Sequence, residues 1–242
     1  MLIVPKIDEN SYPISEELRD KIKDKLEIQL LGSNIELSFE NVKKVVSQFR
    51  DLKVLILHMS EELVCLDFVA LNDKFREPFV KLLCNLMTYA NDINVDIYLL
   101  THLMQPYRFY KNSVGKGYLK SYLKLLENSR VSILIENSLP DLRFSQPHDS
   151  ALMQLLELND TKLFMCFDIC HWYSSCNLLR ENLEFPKELV SRIKSVHFSA
   201  TLNNDGWKNK RETHGRVHPD IESCKKDDSL FIIILFREQD IL

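Results

Sequence analysis

The sequence predicts an α/β fold, a closed (β/α)8 barrel filling residues 1–242 as one domain, on three observations. Apolar runs of strand length alternate with amphipathic stretches of helix length, the pattern of a parallel sheet covered by helices. Eight strand candidates fit within 242 residues, an ordinary size for such a barrel. No linker, low-complexity segment or domain boundary interrupts the chain. An open doubly wound sheet is the competing arrangement.

In chain order, Leu2–Ile7 is a short apolar run, and Pro13 and Ser15 introduce a helical segment over Glu16–Lys23. Lys25–Gly32 alternates apolar and polar residues as a strand does, with Gly32 closing it. Ser38 and Asn41 lead into a helix over Val42–Phe49. Lys53–Met59 is a buried strand by composition and carries His58 near its end. Helical spacing then runs from Asp73 to Asn91, with Pro78 expected in the first turn, where proline is tolerated.

Val95–His102 is the next strand, again ending in histidine, and Gly117–Asn128 has a helical apolar side. Val131–Asn137 is a strand that delivers Glu136. Asp149–Leu158 is a short helix capped by Asp149 or Ser150. Within the stretch Lys162–His171 an apolar strand ends in Asp168, with His171 three residues later. A helix around Lys187–Ile193 precedes the strand Ser195–Ala200, which carries His197. The long polar stretches 103–116 and 201–228 are loops, and Leu230–Phe236 is the last strand. The final helix of the usual barrel does not follow it, an arrangement compatible with incomplete closure or with a homo-oligomer in which a partner copy completes the wall.

Composition narrows the function classes. Apolar content of 45% and charged content of 27% are those of a soluble globular chain, and a net charge of −4 without a basic block disfavours a nucleic-acid partner. No apolar run approaches the ~20 residues that span a bilayer, and no secretory signal opens the chain. The six cysteines lack Cys-x-x-Cys spacing, which fits free thiols in the reducing cytoplasm. With 5 glycines and no glycine-rich phosphate loop, a nucleotide site of the common kinds is not expected.

The chemistry gathers at strand ends. His58, His102, Glu136, Asp168 and His197 each stand at or near the C-terminal end of an apolar run, and in a barrel those ends surround one mouth. An unpaired carboxylate in a buried strand is costly, so Asp168 argues that its strand opens into a site. Carboxylates mixed with imidazoles suit a divalent metal such as Mn, Zn or Co, with Mg less favoured because of the imidazoles. Glu136 and Asp168 would be its anionic ligands and His197 the neutral one. The polar loop 212–220 offers Glu212 and His214 near the same mouth.

Ile135-Glu136-Asn137, Phe167-Asp168-Ile169-Cys170-His171 and Val196-His197-Phe198 resemble, in order, signatures of the xylose isomerase-like TIM barrel superfamily. That group includes sugar-phosphate isomerases and epimerases, ketose 3-epimerases, inosose dehydratases and endonuclease IV. The resemblance implies metal ligands at Glu136, Asp168 and His197, with Glu136 also catalytic and His171 contacting substrate. An endonuclease IV-like branch would add His58, His102, His171, Glu212 and His214. Both branches expect a glutamate on the last strand. Here that place falls near Leu235, and Glu238 is the nearest carboxylate.

Three functions follow as expectations. The first is a metal-dependent isomerase, epimerase or lyase acting on a small carbohydrate or polyol. The metal would polarise substrate oxygens while a glutamate moves the proton. The second is a catalytically degenerate barrel serving as a binding or regulatory protein. The third is a metal-dependent phosphodiesterase acting on abasic DNA.

Overall fold

The computed structural model describes residues 6–22, 24–31, 34–59, 73–102, 113–137, 158, 160–168 and 190–197. Seven strands, β1 (Lys6–Asp8), β2 (Lys25–Gln29), β3 (Val54–His58), β4 (Asp96–His102), β5 (Val131–Glu136), β6 (Leu163–Asp168) and β7 (Ile193–His197), form one sheet in sequence order. Every neighbouring pair is parallel. The described helices are α1 (Glu16–Lys21), α2 (Ile35–Val46), α3 (Asp73–Ile93) and α4 (Ser113–Leu126).

The sheet is strongly curled. Laid flat, strands five spacings apart would lie at about 24 Å. Yet His197 Nε2 on β7 is 2.9 Å from Glu27 Oε2 on β2. The strands therefore wrap around an inner face, leaving an outer face for the helices.

This is a half-barrel, and it corrects the expected closed (β/α)8 TIM barrel. Among the described residues β1 pairs only with β2 and β7 only with β6. Alternating strands and helices require a parallel, covered sheet. Closure depends on strand tilt and stagger, which no local pattern encodes. The expected strand Leu230–Phe236, nearly all of the helix Asp149–Leu158 and most of the helix near Lys187 lie outside the described residues, and Ile193 itself opens β7.

The outer face carries the main core. Leu26, Ile28, Leu55, Leu57, Ile97, Leu99, Ile133 and Ile135 are buried beneath Phe39, Val42 and Val45 of α2, Phe79, Leu83 and Leu86 of α3, and Leu119, Leu123 and Leu126 of α4. Alternation then sends the intervening residues inward. There a smaller apolar plug forms from Ile56, Leu100, Leu134 and Cys166.

Helix boundaries differ from expectation for local reasons. α2 begins a full two turns before Val42 because Asn34 caps it, its Oδ1 accepting from Leu37 N–H at 3.1 Å. Ser38, expected to precede the helix, is buried inside it. Pro78 lies beyond the first turn of α3 and forgoes one intrahelical bond there. α3 ends at Asn94, whose φ of 55° is the left-handed cap conformation that asparagine tolerates, and the chain enters β4 directly. No helix among the described residues is long and apolar enough to cross a membrane.

Candidate metal and acid–base site

The inward residues at the carboxyl ends of the strands build a polar cup over the apolar plug. β2 supplies Glu27, β3 His58, β4 His102, β5 Glu136, β6 Cys166 and Asp168, and β7 His197. Register explains their meeting. His102 pairs with Glu136, Glu136 with Cys166, and Asp168 with His197, so each faces inward beside the next.

His197 reaches the cup through an irregularity. Between β6 and β7 the register shifts, so that Met165 pairs with Ile193 but Cys166 pairs with Ser195. Lys194 is the extra residue. In unbroken register Asp168 would meet Val196, and His197 would point to the outer face. Bulges commonly re-aim a side chain next to a functional site.

The imidazole of His197 bridges two carboxylates. Its Nε2 is 2.9 Å from Glu27 Oε2 and its Nδ1 is 2.9 Å from Glu136 Oε2. His102 Nε2 lies 3.4 Å from the same Glu136 oxygen. The ring of His58 stacks on His102 and lies tilted against His197, with both centroid distances 5.5 Å. Lys6, from β1, closes the arrangement. Its Nζ is 2.9 Å from Glu27 Oε1 and donates to His58 Nδ1 at 2.8 Å.

These contacts set the charge states. Burial opposes the charge of Glu27, but His197, His58 and Lys6 outweigh it and hold the carboxyl well below its usual range. Burial likewise opposes ionisation of Glu136, and His197 and His102 pull it well below the usual range. Burial lowers His58 to about 4, assisted by Lys6, so its ring is neutral and Nδ1 can accept from the ammonium. For His197 burial works against the charge, yet Cys166 and Glu136 raise it well above its ordinary value. The Cys166 thiol is pushed up to about 12 by burial and is neutral at pH 7, so the countercharge to His197 comes from the carboxylates.

Among the described residues, three overlapping groups could hold a metal ion: Glu27 with His58 and His197, His58 with His102 and Glu136, and Glu136 with Cys166 and His197. Within each, the donor atoms lie within 4.8 Å of one another. Nitrogen and carboxylate donors in this mixture suit a borderline divalent ion.

Of the residues singled out from sequence, His58, His102, Glu136 and His197 converge. Asp168 is buried on the same inner face, and its backbone is clamped by Asn137. The Asn137 amide donates to Asp168 O at 2.9 Å and accepts from Asp168 N–H at 2.8 Å. Asp168 joins none of the metal-holding groups formed among the described residues. His171, Glu212, His214 and Glu238 lie outside the described residues.

Sequence reasoning missed Glu27, Lys6 and Cys166. The signal for Glu27 was present. In a parallel sheet covered by helices both faces are normally apolar. The alternation of Lys25, Glu27 and Gln29 with Leu26, Ile28 and Leu30 therefore marks a polar interior and not a solvent face.

No family model and no curated protein matches the chain. Together with the unclosed sheet, this overturns the resemblance to the xylose isomerase-like TIM barrel superfamily. That resemblance rested on three short strand-end motifs, and acidic residues and histidines collect there in any parallel sheet with a polar site at its carboxyl ends.

Proposed function

We propose that the cup is the active site of a metal-dependent enzyme that isomerises, epimerises or eliminates on a small polyhydroxylated substrate. The observation that carries this reading is His197, set between Glu27 and Glu136 at 2.9 Å on each side, with two further imidazoles around it. Glu136 and His197 are the residues that would hold the ion. When bound, a divalent cation supplies Lewis-acid polarisation of a substrate oxygen.

The remaining residues handle the proton. Glu27 Oε2 is engaged by His197, which leaves Oε1 facing Lys6 and His58. A proton taken from carbon by Oε1 can return from that oxygen to a neighbouring carbon. The Lys6 ammonium stabilises negative charge developing on a substrate oxygen. The pair Glu27 and Glu136 also furnishes two carboxylates on opposite sides of one imidazole, so the reaction does not depend on a glutamate from a last strand.

Solvent exchange tests the reading across a whole substrate class at once. The protein loaded with Mn2+, Zn2+ or Co2+ is incubated in D2O with a panel of aldoses, ketoses, polyols and their phosphates, and deuterium at carbon is followed by NMR. The expected result is metal-dependent incorporation into at least one member, falling by ~100-fold or more in Glu27→Gln, the scale of a lost general base. Incorporation that is equal in Glu27→Gln, or absent across the panel with metal bound, overturns it.

A further inference from the structure

We infer that Cys166 supplies a thiolate ligand, so that Glu136, Cys166 and His197 form a zinc-type site that takes Zn2+ or Co2+ in preference to Mn2+ or Mg2+. The inference rests on the reading of the cup as a metal site and specifies its ligands and its ion.

The three candidate groups are not equivalent. Two of them include His58, whose Nδ1 lies 2.8 Å from the Lys6 ammonium, and one of those also includes Glu27, 2.9 Å from it. A divalent ion at either would sit against a fixed positive charge. The third group contains neither His58 nor Glu27, the two residues that Lys6 bonds. Its members come from adjacent strands, with Glu136 and Cys166 as direct register partners and His197 brought in by the β7 bulge.

The donor geometry suits the ion. Donor atoms around a tetrahedral zinc lie ~3.5 Å apart, from bond lengths of ~2.0–2.3 Å. The Glu136, Cys166 and His197 donors lie within 4.8 Å of one another, so rotamer adjustment can close the set. Three protein ligands leave a position open for a substrate oxygen, the arrangement of catalytic zinc sites.

The surroundings of His197 match a metal ligand. With Nδ1 turned to the ion beside Glu136, Nε2–H donates to Glu27 Oε2 at 2.9 Å. A carboxylate behind a ligating imidazole fixes its tautomer and increases its basicity. Lys6 in turn fixes Glu27. On binding, the ion replaces the thiol proton of Cys166 and the Nδ1 proton of His197, and both pass to solvent. A soft thiolate favours zinc or cobalt over the harder manganese and magnesium.

Cobalt spectroscopy tests this on the whole chain. Wild type titrated with Co2+ is expected to show visible d–d bands of a tetrahedral site together with a near-ultraviolet sulfur-to-cobalt charge-transfer band. Cys166→Ser keeps visible bands but loses the near-ultraviolet band, and its zinc affinity falls more than ~100-fold, beyond the usual effect of removing an outer-shell partner. Cobalt bound in wild type without the near-ultraviolet band, or the band persisting in Cys166→Ser, overturns the thiolate while leaving the metal site standing. Absence of any cobalt or zinc binding overturns both. If Cys166→Ser does not fold, X-ray absorption on the wild-type zinc protein decides. One sulfur at ~2.3 Å supports the assignment, and a shell of nitrogen and oxygen alone overturns it.

Discussion

The two faces of this sheet are built from the same strands and follow opposite rules. The outer face is a continuous apolar layer in which Leu26, Leu55, Ile97, Leu99 and Ile133 are fully buried under helices. Among the described residues the inner face has a small buried plug of Ile56, Leu100, Leu134 and Cys166, and above it a cluster of carboxylates and imidazoles. Each apolar group on the outer face adds stability by leaving water. Each charged group on the inner face loses hydration and recovers it only through its neighbours. One sheet thus separates an apolar layer packed under helices from a buried polar cluster.

A pair of substitutions exposes that division most strongly. Leu99→Ala, on the outer face, should lower unfolding stability by about 3–5 kcal/mol in urea titration, because the closely packed layer cannot collapse around the lost atoms. Its metal affinity at temperatures where it stays folded should remain within about twofold of wild type, as expected for distant sites. Glu27→Gln should do the reverse, weakening metal binding by ~10–100-fold as an outer-shell partner of His197. If Leu99→Ala abolishes metal binding while still folded, the two faces are coupled and the separation fails.

The same division explains what could be read from the sequence. Strands β3, β4, β5 and β6 were legible to within a residue or so because strongly apolar runs such as Val-Leu-Ile-Leu and Ile-Leu-Ile have few alternatives to a buried strand. Their terminal His58, His102, Glu136 and Asp168 stood out against that apolar background. Glu27 did not, because in an alternating strand a glutamate looks like a solvent-facing residue until helices are known to cover the other side. Lys6 sits inside the short run Leu2–Ile7, and its role depends on β1 lying beside β2, a long-range fact. Curl and closure were likewise illegible, since they arise from stagger between strands.

Acid titration probes the inner face alone. In the metal-free protein His58 has a folded pKa of about 4 against an ordinary 6.5. A depressed value means its contribution is present above pH 6.5 and is lost as the pH falls toward about 4. The size is on the order of 3 kcal/mol. Glu27 and Glu136, also depressed, add to the loss as the pH falls through and below the ordinary carboxylate range. His197 has the opposite sign. Its raised pKa gives a contribution complete below pH 6.5 and lost as the pH climbs through its folded value. Metal-free stability should therefore peak near pH 6.5, and chemical denaturation across pH 4–9 measures it. His58→Phe should flatten the acid limb, and an unchanged acid limb would remove His58 from the buried cluster.

The smallest effect is expected at the other end of the strands. Asp96 opens β4 and its carboxylate meets Arg130 at 2.9 Å, with side chains 51% and 43% exposed. The distance matches that of Glu27 with His197, but the surroundings differ, because water screens this pair and already solvates both charges. Asp96→Asn should change stability by no more than about 0.5 kcal/mol and leave metal affinity unmoved. Equal distances with unequal consequences would then show that burial, and not proximity, makes the inner cluster sensitive. A loss above ~1 kcal/mol would place the Arg130 pair among the groups that hold the sheet together, and would break the assignment of stability to the apolar outer face.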